Sequence, residues 1–126
     1  MKNKLMVAGG VMISALVMSS PSFANASGEG VVTYISGNFG GVNPSYPSSV
    51  YFGISPAPVT RAECNTNGTY QFVFDPNTAD GKALHSALLT AQTTSRKVTI
   101  QGTGACVLGQ PMEGIAYWIL LPSPSP

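Results

Sequence analysis

The sequence predicts a mainly β fold with a single helix, in the order β-β-β-α-β-β. Two-residue alternation recurs in short segments: Val50, Phe52 and Ile54; Tyr70, Phe72 and Phe74; and again over residues 97–101. Between the last two the period changes. Leu84, Ala87, Leu88 and Ala91 stand at i, i+3, i+4 and i+7, one apolar stripe on a helix over residues 79–93. Breakers punctuate the rest, among them Asn43-Pro44, Tyr46-Pro47, Pro56-Ala57-Pro58 and Asn67-Gly68.

Taken in order, residues 1–24 read as a secretory signal peptide. Lys2 and Lys4 precede an apolar run, and Ser22-Phe23-Ala24 is a small-residue cleavage site. Ala24-Asn25-Ala26 also fits, which shifts the cut by two residues. The apolar run is short for a membrane span of about 20 residues and is interrupted by Gly9-Gly10, and no later stretch is apolar enough to cross. Residues 25–30 are expected to be a flexible leader, and residues 31–121 the folded domain. The first strand covers residues 31–36, where β-branched and aromatic residues are concentrated. Residues 37–49 are loop and residues 50–54 the second strand. The third strand is expected over residues 69–74, after the turn at Asn67-Gly68.

Asp75-Pro76-Asn77-Thr78 ends that strand and offers Asn77 or Thr78 as helix N-cap. Residues 97–101 form the fourth strand, Gly102-Thr103-Gly104 a turn or bulge, and residues 115–120 the fifth strand. Residues 122–126 are a proline-rich tail. Five strands with a helix between the third and fourth is the order of an OB-fold, a small five-stranded barrel.

Without the signal the chain has 102 residues, one domain with a modest core. Four basic residues (Arg61, Lys82, Arg96, Lys97) then face five acidic ones, a net charge of about −1. With no cluster of Lys and Arg, nucleic acid is excluded as a partner. Cys64 and Cys106, the only cysteines, read as one disulfide in an exported chain. With one histidine, His85, the sequence lacks the roughly four ligands of a zinc site, and neither cysteine has a base beside it for nucleophilic work. No metal or cofactor is expected.

Nothing points to an enzyme. Asp75 and Asp80 flank the helix start, where carboxylates cap free N–H groups and complement the dipole, and Glu113 stands alone in a loop. Binding is better supported, because the chain is rich in Ser, Thr, Asn, Gly and Tyr and poor in charge. Neutral hydroxyl and amide groups beside aromatic faces suit sugars. In the fifth strand Ile115, Tyr117 and Ile119 are expected on one face, with Ala116, Trp118 and Leu120 on the other. Both faces are apolar, so one is expected to meet another subunit, with Trp118 as anchor.

The Asp75-Pro76-Asn77-Thr78-Ala79-Asp80-Gly81-Lys82-Ala83-Leu84 segment, the Leu88-Leu89-Thr90-Ala91 helix and the Lys97-Val98-Thr99-Ile100-Gln101-Gly102-Thr103-Gly104-Ala105-Cys106 exit resemble a group of small exported bacterial proteins. The strand–helix–strand order is similar to the binding subunits of subtilase cytotoxin and its pertussis-like relatives, where one catalytic subunit sits on five OB-fold lectin subunits. That resemblance implies a glycan ligand, a homo-oligomer and a catalytic toxin-like partner. The family's sugar site lies near the end of strand one and its following loop, the region of Ser36, Asn38 and Tyr46 here. A periplasmic structural or stress-related protein without a sugar site is the alternative, and an inhibitor of a host or envelope enzyme a third. In each case the expected location is periplasmic or secreted.

Overall fold

The computed structural model describes residues 9–10, 24–40, 42 and 47–124. The signal-peptide reading over residues 1–24 and the position of Tyr46 therefore lie almost wholly outside the described residues. Five strands and one helix follow in the expected order: β1 (Ser27–Asn38), β2 (Ser49–Ser55), β3 (Phe72–Phe74), α1 (Ala79–Thr94), β4 (Lys97–Cys106) and β5 (Glu113–Leu120). The strands close into a barrel in the order β1-β2-β3-β5-β4, the OB-like arrangement that the element order predicts.

Closure depends on the length of β1. Its first half pairs with β4, from Ser27 opposite Gln101 to Val31 opposite Lys97. Its second half pairs with β2, from Val31 opposite Ser55 to Asn38 opposite Ser49. A bulge at Thr33, where the register shifts between Val32 and Tyr34, bends the strand between its two partners. Residues 27–30 are thus strand, not leader. Gly28 and Gly30 weaken the local β signal, but pairing with β4 overrides a preference of that size.

The core is built from the inward side chains of every element. Phe52 stacks on Phe72 at 5.4 Å and meets Phe74 edge-on at 6.1 Å. Val32, Ile54, Val98 and Ile100 complete the barrel interior, and Leu84, Leu88 and Ala91 of α1 pack against it. Leu88 is fully buried, as the helical stripe predicts. Thr78 is the N-cap and its hydroxyl accepts from the Gly81 N–H at 2.9 Å. Only glycine fits at position 81, since a Cβ there would run into the Asp75 carbonyl oxygen. At the other end Ser95 takes the left-handed conformation and its N–H donates to the Ala91 carbonyl.

β5 departs from simple alternation. Gln101 pairs with Tyr117 while the next residue, Gly102, pairs with Ile115, so Ala116 is an extra residue in the strand. Ala116 and Tyr117 both face outward in succession, and Ile115, Trp118 and Leu120 pack on the core. Trp118 lies opposite Ile100 and is half-buried. The open apolar positions are Tyr117 and Ile119, about half exposed, rather than Trp118.

Cys64 and Cys106 are disulfide-bonded with Cα atoms 6.1 Å apart, tying the loop before β3 to the end of β4. Beside them sits Glu113. It is no solitary loop residue but the fully buried first residue of β5. Its carboxylate accepts hydrogen bonds from the backbone N–H groups of Ala26, Ala62 and Gly104 and from the Asn65 amide. Buried Gln71 is the neighbouring polar node: its side-chain oxygen accepts from the Ile54 N–H at 2.9 Å and its carbonyl accepts from the Glu113 N–H at 3.1 Å.

Candidate binding site

A cleft of about 610 Å³ opens where the end of β1 and the start of β2 meet one side of α1. Ile35, Val50 and Leu89 supply its apolar surface, and Ser36, Asn38, Ser48, Ser49, Asn77, His85 and Gln92 its polar groups. Phe39, 83% exposed, lies at the rim. None of the lining residues is Asp, Glu, Lys or Arg. Such a surface offers hydrogen bonds and apolar contact without a charge, which fits an uncharged ligand bearing hydroxyl or amide groups.

Two of the three residues expected from sequence meet in this cleft. Ser36 and Asn38 are two apart on β1, so their side chains share a face. Both are partly engaged within the protein. The Ser36 hydroxyl lies 2.8 Å from the Tyr70 hydroxyl. Asn38 bridges the two strands: its Nδ2 donates to the Pro47 carbonyl at 3.3 Å, and its Oδ1 accepts from the Ser49 hydroxyl. Tyr46 lies outside the described residues. Sequence reasoning missed the helix wall. His85, Leu89 and Gln92 fall at i, i+4 and i+7, a second stripe beside the buried one, and that spacing was the available signal. Gln92 is held toward β1 by a bond from its Nε2 to the Thr33 carbonyl at 3.3 Å, and the His85 ring stands 6.2 Å from that of Phe74.

Ser36 also connects the cleft to a tyrosine cluster on the outer wall. Tyr51 and Tyr70 meet edge to face at 4.7 Å, and Tyr34 approaches Tyr70 at 6.1 Å. Tyr34 is 57% exposed. The segment carrying Tyr70 crosses β2 at Gly53, where any side chain would strike the Thr69 carbonyl oxygen. The turn before it is held by Asn67, whose Oδ1 accepts from the N–H groups of Thr69 and Tyr70, both at 3.0 Å.

A second cleft of similar size lies between the start of α1 and β5, lined by Phe74, Leu84, Val107, Leu108 and residues 114–118. Asp75 and Asp80 stand at its edge. Their placement is that of helix-start carboxylates: Asp80 is in the first turn, and the Asp75 Oδ1 accepts from the Asn77 N–H at 2.8 Å. Among the described residues no group of three or more His, Cys, Asp or Glu is arranged to hold a metal, and no helix is long and apolar enough to cross a membrane. No family model matches the chain, and neither a curated protein nor a solved structure matches it.

Proposed function

We propose that this protein is an exported glycan-binding module, periplasmic or secreted, that uses the cleft between β1, β2 and α1. The observation that carries the reading is the charge-free lining of that cleft, with hydroxyl, amide and imidazole groups set among apolar side chains. The disulfide supports an oxidising compartment. The resemblance to toxin binding subunits adds a separate catalytic partner and a homo-oligomer to the proposal. Tyr117 and Ile119, both about half exposed and two apart on β5, are the natural contact for a second copy.

A glycan array probed with the refolded chain tests the reading. Binding should change little between low and moderate salt, whereas an electrostatic partner would weaken steeply as charges are screened. Phe39→Ala and His85→Ala should each weaken binding about tenfold with little change in melting temperature, because both side chains lie at the cleft surface. Asn38→Ala should lower both, since Asn38 bridges the strands.

The internal use of Ser36 and Asn38 favours a second reading, a periplasmic structural or stress-related protein in which this region only braces the barrel. Absence of binding on a broad glycan screen, with the protein folded, would decide for it.

A further inference from the structure

We propose that the signal peptide is removed after Ala24, so that the exported chain begins at Asn25, and that Ala26 is a working part of the barrel. This rests on the export reading above. The sequence presents two overlapping small-residue motifs, Ser22-Phe23-Ala24 and Ala24-Asn25-Ala26, and a signal peptidase accepts either on an extended chain. The fold does not treat their products alike.

Ala26 is completely buried. Its N–H donates to both oxygens of the Glu113 carboxylate, at 3.0 and 3.2 Å, and its carbonyl accepts from the Gly102 N–H at 2.7 Å. Glu113 is equally buried and holds three other donors: Ala62 N–H at 3.1 Å, the Asn65 amide at 2.8 Å and Gly104 N–H at 2.9 Å. One carboxylate therefore clamps the start of the chain, the loop that carries Cys64, and the β4–β5 edge. A cut after Ala26 removes the first of these. It leaves the Gly102 N–H without its acceptor, takes one donor from a buried carboxylate, and opens a space where the Ala26 methyl packs. Asn25 and Ala24 are only half-buried, so the chain leaves the core one residue before Ala26.

The full chain is expressed in a Gram-negative host, and the exported protein is examined by intact mass and N-terminal sequencing. A start at Asn25 is expected. A start at Ser27 overturns this inference and leaves export standing; an uncut chain beginning at Met1 overturns export and this inference with it. Refolded chains beginning at Asn25 and at Ser27 give a second measurement. The shorter chain should melt about 10 °C lower, as expected for a small domain that loses two buried hydrogen bonds. In a Glu113→Gln background that difference should shrink to less than half. Equal melting temperatures of the two chains, or a truncation effect unchanged by Glu113→Gln, would show that Ala26 is not held by this clamp.

Discussion

At the scale of single residues, the polar interior decides more than its size suggests. Glu113 satisfies four donors drawn from three separate parts of the chain. Glu113→Ala would leave the Ala26, Ala62 and Gly104 N–H groups without this acceptor and the Asn65 amide with only its bond to the Gln71 carbonyl, and an unpaired buried donor is expensive. The expected loss is about 4 kcal/mol, measured by urea denaturation; a loss below about 1 kcal/mol would mean that water replaces the carboxylate. Ser95 is the opposite case. It carries a side chain at φ 55°, where glycine is at ease. Ser95→Gly should therefore stabilise the protein by about 1 kcal/mol, seen as a melting temperature higher by several degrees.

The helix is the element that both closes the barrel and walls the cleft. Its buried stripe of Leu84, Ala87, Leu88 and Ala91 faces the core, while His85, Leu89 and Gln92 face the ends of β1 and β2. The two stripes should respond differently to truncation. Leu88→Ala should cost about 2–5 kcal/mol, because it opens a cavity in a packed interior. Leu89→Ala, at a position 46% exposed, should stay within about 0.5 kcal/mol and change ligand binding instead. A denaturation midpoint insensitive to Leu88→Ala would contradict the packing of this face. β5 makes the related point for strands. The extra residue at Ala116 turns Tyr117 outward and Trp118 inward, so the strand presents one apolar face to the core and two apolar side chains to the outside.

Across the whole molecule, the disulfide joins positions 42 residues apart. In the chain-entropy model a loop of that length is worth about 4 kcal/mol, a large share of the stability of a small domain. Replacing both cysteines with Ala should lower the unfolding free energy by about that amount in a denaturant titration, and non-reduced peptide mapping should recover Cys64 linked to Cys106. The bridge spans β3, the helix and β4, so its loss should loosen the Glu113 clamp beside it. Assembly belongs to the same scale. If Tyr117 and Ile119 meet a second copy, Tyr117→Ser combined with Ile119→Ser should yield a monomer by sedimentation at micromolar concentration without lowering the melting temperature. A wild-type chain that already sediments as a monomer would remove the oligomer from the proposal.

Periodicity alone determined the element order, the buried face of α1 and the N-cap region, because those depend on neighbours within one turn or one strand. Parity of the cysteines determined their pairing. The tertiary structure decided the rest. Residues 27–30 look flexible in isolation and become strand only because β4 offers them partners. The phase of β5 is set by its register against β4, which no alternation inside β5 reveals. Glu113 looks like a surface acid until Ala26, Ala62, Asn65 and Gly104 are brought around it from positions up to 87 residues away. The cleft has the same origin: Ser36 and Asn38 were legible as neutral groups at a strand end, but their wall comes from a helix some 50 residues further on. Local spacing encodes local structure. Burial, register and convergence are properties of the closed barrel, and they exist only once β1 has paired with both of its neighbours.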